Sequence, residues 1–180
     1  ACNQIISFTN IVFNIICIGA NVLVSQYIGA KNKESAQMTM ISSYLMVTSV
    51  GVLGSVVLFF FGKPILQLMG VTPNLLSHAE VYIRIVGSMM FMQAILNLST
   101  VIMRTHGYSK ETLGITAGMN VINVVGDILF VFGFNMGAAG AAYATCIGRF
   151  VAMLMAVRFV RRRILDKGPF RYIRNFPMRI

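Results

Sequence analysis

The sequence predicts an all-α polytopic membrane protein, and three observations carry that prediction. Four long stretches, 1–30, 35–62, 85–103 and 128–148, contain no Asp, Glu, Lys or Arg. A bilayer core of about 30 Å is crossed by about 20 apolar residues in helix, so each stretch is close to the length of a span. The composition, 57% hydrophobic and only 11% charged, leaves too little polar surface for a soluble domain of 180 residues. The basic residues are also unevenly placed: eight of the fifteen lie within 158–179, and most of the rest sit between apolar runs. That is the positive-inside pattern. A net charge of +10 would otherwise suggest nucleic acid, but no basic helix with interleaved aromatics is present, so no nucleic-acid partner is expected.

Five spanning helices are expected, at about 3–29, 35–61, 77–105, 112–134 and 138–163, in one helical unit over 1–165. The first ends at Gly29-Ala30-Lys31-Asn32-Lys33. Gly62, Lys63 and Pro64 are expected to break the second, with 64–70 lying as a short interfacial helix. Thr72-Pro73-Asn74 suits the start of the next element, because proline in a first helical turn gives up no hydrogen bond. Asn135-Met136-Gly137 turns the chain between the last two spans. The remainder, 166–180, is basic with two prolines and reads as a cytoplasmic linker.

Orientation follows from the cations. Lys31 and Lys33, then Arg104 and Lys110, then the tail mark three connections on one side, which is cytoplasmic. Residue 1 is then extracytoplasmic. The chain opens in an apolar run without an initiator Met and without the basic start of a cleavable signal. A fragment is expected, lacking at least a first helix. Cys2, Cys17 and Cys146 have no partner at metal-ligand spacing and read as packing residues.

Polar side chains inside spans are costly and therefore informative. Asn3, Asn10, Asn14, Asn21 and Ser25 form one stripe of the first helix; Gln93, Asn97, Thr100 and Arg104 form one of the third; Asn120, Asn123 and Asp127 form one of the fourth. Three stripes suggest a shared wet cavity, lined by Asn10, Asn14, Asn21, Gln93, Asn97, Thr100 and Asn120. Interhelical hydrogen bonding competes with that reading, at about 0.6 kcal/mol per contact. Asp127 is the carboxylate deepest inside a span, about 10 Å from the outer end. A hairpin turning near residue 136 brings Thr145 to its depth, and Asn123 lies one turn away on the same face. Carboxylate, amide and hydroxyl oxygens suit a proton or a hard cation such as sodium. Arg149 offers an alternative, in which it simply neutralises Asp127. The spacing leaves both open.

The motifs resemble one family. Ser25-Gln26-Tyr27-Ile28-Gly29-Ala30-Lys31, Arg104-Thr105-His106-Gly107-Tyr108-Ser109-Lys110, Asn123-Val124-Val125-Gly126-Asp127 and the run from Gly137 through Ala144 to Thr145 look, in that order, like helices two to six of the multidrug and toxic compound extrusion transporters. The resemblance implies twelve helices in two six-helix lobes, of which this chain carries five helices of the first. It implies an efflux antiporter in the cell inner (plasma) membrane. Such a transporter exports organic cations or amphipathic drugs in exchange for protons or sodium, with no cofactor and no enzymatic activity. It also implies a cation site containing Asn123, Asp127 and Thr145, completed by an Asp on a first helix that is not in this sequence.

Two other readings compete. A lipid-linked oligosaccharide flippase or polysaccharide exporter of the same superfamily would line its cavity with cations, and only Arg84, Arg104 and Arg149 lie in or at the ends of inner helices. A non-transporting membrane assembly subunit would lack a second lobe. A membrane-embedded enzyme would need a nucleophile–base or paired-carboxylate set. His78 and His106 lie in or beside loops, and no second deep acid accompanies Asp127.

Overall fold

An apolar chain in lipid must satisfy every backbone N–H and C=O within its own segment, and the helix does so. The computed structural model of the protein describes residues 2–68, 73–134 and 136–165. The order is α1 (Cys2–Gly29), α2 (Lys33–Leu68), α3 (Pro73–Ser88), α4 (Met90–Thr105), α5 (Ser109–Asp127), a π-helical turn (Ile128–Gly133) and α6 (Gly137–Arg163). Four helical segments are individually long and apolar enough to cross a membrane: α1, α2, α5 with its π turn, and α6. The pair α3 and α4 makes a fifth span if its 52° bend is counted within one crossing. The protein is thus an all-α polytopic membrane protein.

Helix α4 is the centre of the packing. Eight of its residues are buried, among them Leu98 and Met103. It touches α1, α2 and α6, and Phe13, Met40, Val47 and Ala156 complete the core around it. Cys17 belongs to this core as an apolar packing residue, as expected. Outward-facing Phe60, Leu113 and Phe132 are 71%, 70% and 76% exposed, a surface suited to lipid.

Three features differ from the expected helices. First, Gly62, Lys63 and Pro64 do not break α2, and no separate helix begins at Pro64: α2 continues to Leu68 with the proline inside it. Tertiary contacts outweigh the missing N–H. Leu66, beyond the proline, is fully buried. A Cβ at Gly62 would lie 2.9 Å from Ile83 Cγ2, so only glycine lets α3 approach there.

Second, the expected span 77–105 is two helices meeting at Met89. The break is fastened to α2. Ser55 Oγ donates to its own Gly51 carbonyl at 2.9 Å and accepts the Phe91 N–H at 3.2 Å, so a donor freed by the bend is satisfied. Ser88 Oγ donates to Ile85 O at 2.8 Å on the other side of the bend.

Third, the expected span 112–134 keeps α-helical bonding only to Asp127. The Phe134 N–H then reaches back to Leu129 O at 3.0 Å in π-helical fashion. The expected turn residue Asn135, the end of the expected interfacial segment at 69–70 and the expected linker 166–180 lie outside the described residues.

The turn after α1, the end of α4 and the end of α6 meet around one cleft, lined by Lys31, Lys33, His106 and Arg163. These are three of the cation-bearing connections, the ones the positive-inside pattern marks as the expected cytoplasmic side. Lys63 and Arg84 both pair with Glu80, at 3.6 and 3.1 Å, tying α2 to α3.

Candidate functional site: the hairpin of α5 and α6

Small residues set the register of this hairpin. A Cβ at Gly140 would lie 2.9 Å from the Phe130 backbone, and one at Gly126 would lie 2.8 Å from Ala144 Cβ. A Cβ at Gly148 would collide with Asn123 Oδ1. Phe130, Gly126 and Asn123 therefore stand opposite Gly140, Ala144 and Gly148 in an antiparallel ladder. Asp127 comes level with Tyr143, and Thr145 lies about half a turn away. Asn123 turns its amide toward α6, and Asp127 follows one turn later on the same side.

Neither oxygen is satisfied. Asp127 Oδ1 and Asn123 Oδ1 are buried with no hydrogen-bond partner, and so is Arg149 Nη1. Each such atom costs about 1–3 kcal/mol. Asp127 and Arg149 form no ion pair; among the described residues the ion pairs are those of Glu80 with Lys63 and Arg84. Two half-buried groups of opposite sign thus lie in one hairpin without pairing directly. Thr145 Oγ1 donates to Ala141 O at 2.9 Å, which leaves its lone pairs as acceptors. A carboxylate, an amide oxygen and a hydroxyl oxygen can together accept a proton or coordinate a hard cation. The π turn starts immediately after Asp127. Such turns open a helix locally and are frequent at functional sites.

The other stripes are placed differently. On α4 the polar groups satisfy one another along the helix. Gln93 Nε2 donates to Asn97 Oδ1 at 2.8 Å, Thr100 Oγ1 donates to Asn97 O at 2.9 Å, and Arg104 Nε donates to Thr100 O at 3.3 Å. On α1, Asn21 Oδ1 accepts from Thr105 Oγ1 of α4, a hydroxyl shared with Val101 O at 2.9 Å. Asn10 Oδ1 is buried without a partner, whereas Asn14 and, on α5, Asn120 are exposed. Helix α1 contacts α2, α3 and α4 but not α5. The stripes of α1 and α4 therefore meet through Asn21 and Thr105, while that of α5 stands apart. Two clefts lie elsewhere and include none of the stripe residues. One, of 270 Å³, is walled by Val52, Phe59 and Phe91; the other, of 450 Å³, is the cleft at the cation-bearing end.

Sequence reasoning missed three features. Tyr44 OH meets Ser99 Oγ at 2.8 Å. Since Ser99 donates its proton to Ile95 O at 2.7 Å, Tyr44 is the donor. The Ser55–Phe91 bond and the π turn are the others. Single Ser and Tyr residues in apolar runs carry no periodic signal. The small-residue series of Gly140, Ala144 and Gly148 was a visible signal for close helix approach.

The family model MatE matches residues 1–129. The chain belongs to the MatE family. That is a family of membrane transporters, and the chain accordingly is a multi-pass membrane protein. It is 31% identical over 166 residues to "Uncharacterized transporter YisQ" of Bacillus subtilis, covering 90% of this chain and 36% of that protein. It is 28% identical over 180 residues to "Probable multidrug resistance protein NorM" of Thermotoga maritima, covering 92% and 37%. Among solved structures, an inward-facing multidrug resistance MATE transporter superposes with a TM-score of 0.81 at 21% identity, over 89% of this chain and 37% of that one. A MATE protein in the straight conformation gives 0.78 at 23% identity, over 88% and 37%. The chain spans about a third of the length of these relatives: 36% of the first and 37% of the second. The described helices therefore have the MatE fold over that third.

Proposed function

We propose that this chain forms the cation-responsive part of a secondary active efflux transporter. Such a transporter would export amphipathic or cationic small molecules in exchange for protons or sodium. One observation carries the reading: two buried oxygens, of Asn123 and Asp127, lie one helical turn apart without hydrogen-bond partners, directly before a π turn. A proton or a sodium ion at Asp127 satisfies what the protein itself leaves unsatisfied. Thr145 contributes a third oxygen from α6. Similarity to a multidrug resistance protein of Thermotoga maritima and a multidrug export protein of Staphylococcus saprophyticus supports a drug-like substrate.

The mechanism follows from differential stability. Asp127 with its ion bound favours one packing of α5 against α6, and the free carboxylate favours another. Drug binding must differ between the two packings for export to be coupled to the ion. Helix α5 is suited to move, because it buries only Thr112 and Ile115.

The test is Asp127→Asn in the complete gene product. Size and some hydrogen bonding are retained while the titrating charge is lost. Efflux of a cationic dye should fall by about tenfold or more, the size of a lost coupling free energy, at near-normal expression. If Asp127 only offsets Arg149, the single change lowers stability, and neutralising both residues restores efflux. Restored efflux in the double variant would move Asp127 from mechanism to scaffold.

A further inference from the structure

The cleft at the cation-bearing end is absorbed by none of the foregoing. It has a volume of 450 Å³ and lies between the ends of α1, α2, α4 and α6. Lys31, Lys33 and Arg163 line it, with His106 and Gln37; Ile28, Met40 and Ile164 form its apolar wall.

The charges are uncompensated. None of the three cations takes part in an ion pair among the described residues. Each helix end contributes about half a charge, negative at the C-termini of α1, α4 and α6 and positive at the N-terminus of α2. The three side chains outweigh these dipoles and leave about two net positive charges. Arg104 lies nearby in sequence but uses its guanidinium on Thr100, and it does not line the cleft.

One side chain of the wall, Gln37, is open to a ligand. Gln37 is only 8% exposed, lines the cleft and has no hydrogen-bond partner among the described residues. Its amide is not sealed from the cleft, so it is open to a group that enters there. His106 Nδ1 lies 2.9 Å from Ile102 O. A carbonyl only accepts, so Nδ1 carries the proton and Nε2 is left unused. Lys31 itself sits at φ 55°, in the left-handed region where glycine is the unstrained choice. A cation is held there at a conformational cost.

We propose that this cleft binds a phosphate-bearing anion, and that in the membrane this is the headgroup of an anionic phospholipid of the cytoplasmic leaflet. Lys31, Lys33 and Arg163 hold the phosphate, Gln37 donates its amide N–H to a phosphate or glycerol oxygen, and the Ile28–Met40–Ile164 wall takes the first carbons of an acyl chain. The apolar wall is what selects a lipid over a free anion. Basic pockets between helices at this side of a membrane are suited to such headgroups, each cation near the surface adding about 1 kcal/mol. The inference rests on the cleft and on orientation, and it stands whether or not Asp127 couples an ion.

The experiment titrates phosphatidylglycerol against phosphatidylcholine on the complete gene product in detergent micelles, reading the thermal midpoint and lipid adducts by native mass spectrometry. Phosphatidylglycerol should raise the midpoint and remain bound, and phosphatidylcholine should not. The Lys31→Gln/Arg163→Gln variant should weaken the apparent affinity by about ten- to thirty-fold, and Gln37→Ala by a smaller factor. Lys110→Gln, a cation at the same membrane side but outside the cleft, should leave it unchanged. Equal responses to both lipids, or an equal loss in Lys110→Gln, would overturn the proposal in favour of general surface charge. A midpoint shift reproduced by inorganic phosphate or glycerol 1-phosphate alone would overturn the lipid assignment and leave a soluble phosphate as the ligand. If the double variant does not fold, Gln37→Ala decides: an unchanged phosphatidylglycerol response there refutes the site.

Discussion

The contact of α2 with α4 and the hairpin of α5 with α6 use the same materials to opposite ends. Both bring backbones close through glycine. A Cβ at Gly51 would lie 2.9 Å from Phe91 Cα, and one at Gly126 would lie 2.8 Å from Ala144 Cβ. In the first contact polar side chains are used across the helices: Ser55 caps the bend at Phe91, and Tyr44 closes on Ser99. In the second, Asn123 and Asp127 are left with unsatisfied buried oxygens, and the helix loosens into a π turn. Packing depth follows the same division. Eight residues of α4 are buried but only two of α5. One contact fixes the bent span, and the other keeps polar capacity in reserve. Local opening belongs where contacts are few.

Four changes sharpen or break that contrast, beyond the loss of efflux expected of Asp127→Asn, which has the largest effect. Gly51→Val should lower stability by about 1–3 kcal/mol, because the new methyls meet the α4 backbone, which cannot move aside. Thermal unfolding in detergent measures it, and an unchanged midpoint would show that α2 and α4 are not tightly seated. Ser55→Ala removes the acceptor of the Phe91 N–H at the bend. A buried donor left alone costs about 1–3 kcal/mol, partly relieved if the bend straightens. Hydrogen exchange at Phe91 should accelerate. Tyr44→Phe should cost about 0.5–1.5 kcal/mol with efflux intact, since Ser99 keeps its bond to Ile95 O. A loss of efflux at full stability would extend function into the α2–α4 contact.

Gly148→Ala should have a small effect on stability, about 1 kcal/mol, because the new methyl meets the Asn123 side chain, which can swing away, and presses on the Met119 carbonyl at 3.2 Å, which must yield slightly. Its signature is functional: moving Asn123 should shift the ion dependence of efflux toward that of Asn123→Ala. Ion dependence unchanged in both variants would remove Asn123 from the site.

Asn123 and Asp127 were legible as candidates because a carboxylate and an amide at helical spacing in an uncharged run stand out against the cost of burying them. Their relation to Arg149 was not legible. Spacing places Arg149 near enough to pair, but whether the side chains meet depends on how the two helices rotate about the Gly126–Ala144 contact, and they form no ion pair. Asn14 and Asn120 show the same limit. Periodicity puts each on a stripe, yet both are exposed, because a stripe of polar residues does not say which neighbour will cover it.

The sequence by itself determined the class and the apolar spans now formed by α1, α2, α5 and α6. These rest on transfer free energies and charge, which act residue by residue and need no partner. Tertiary structure decided where spans bend and continue. Pro64 and Gly62 read as a stop, yet α2 runs through them because Leu66 is buried beyond and α3 seats on Gly62. Residues 85–103 read as one uninterrupted run, yet the chain bends at Met89 because Ser55, far away in sequence, satisfies the donor that the bend releases. The physical reason is common to both. A backbone group needs a partner but not a local one, so only the assembled helices show whether a break in the sequence is a break in the fold.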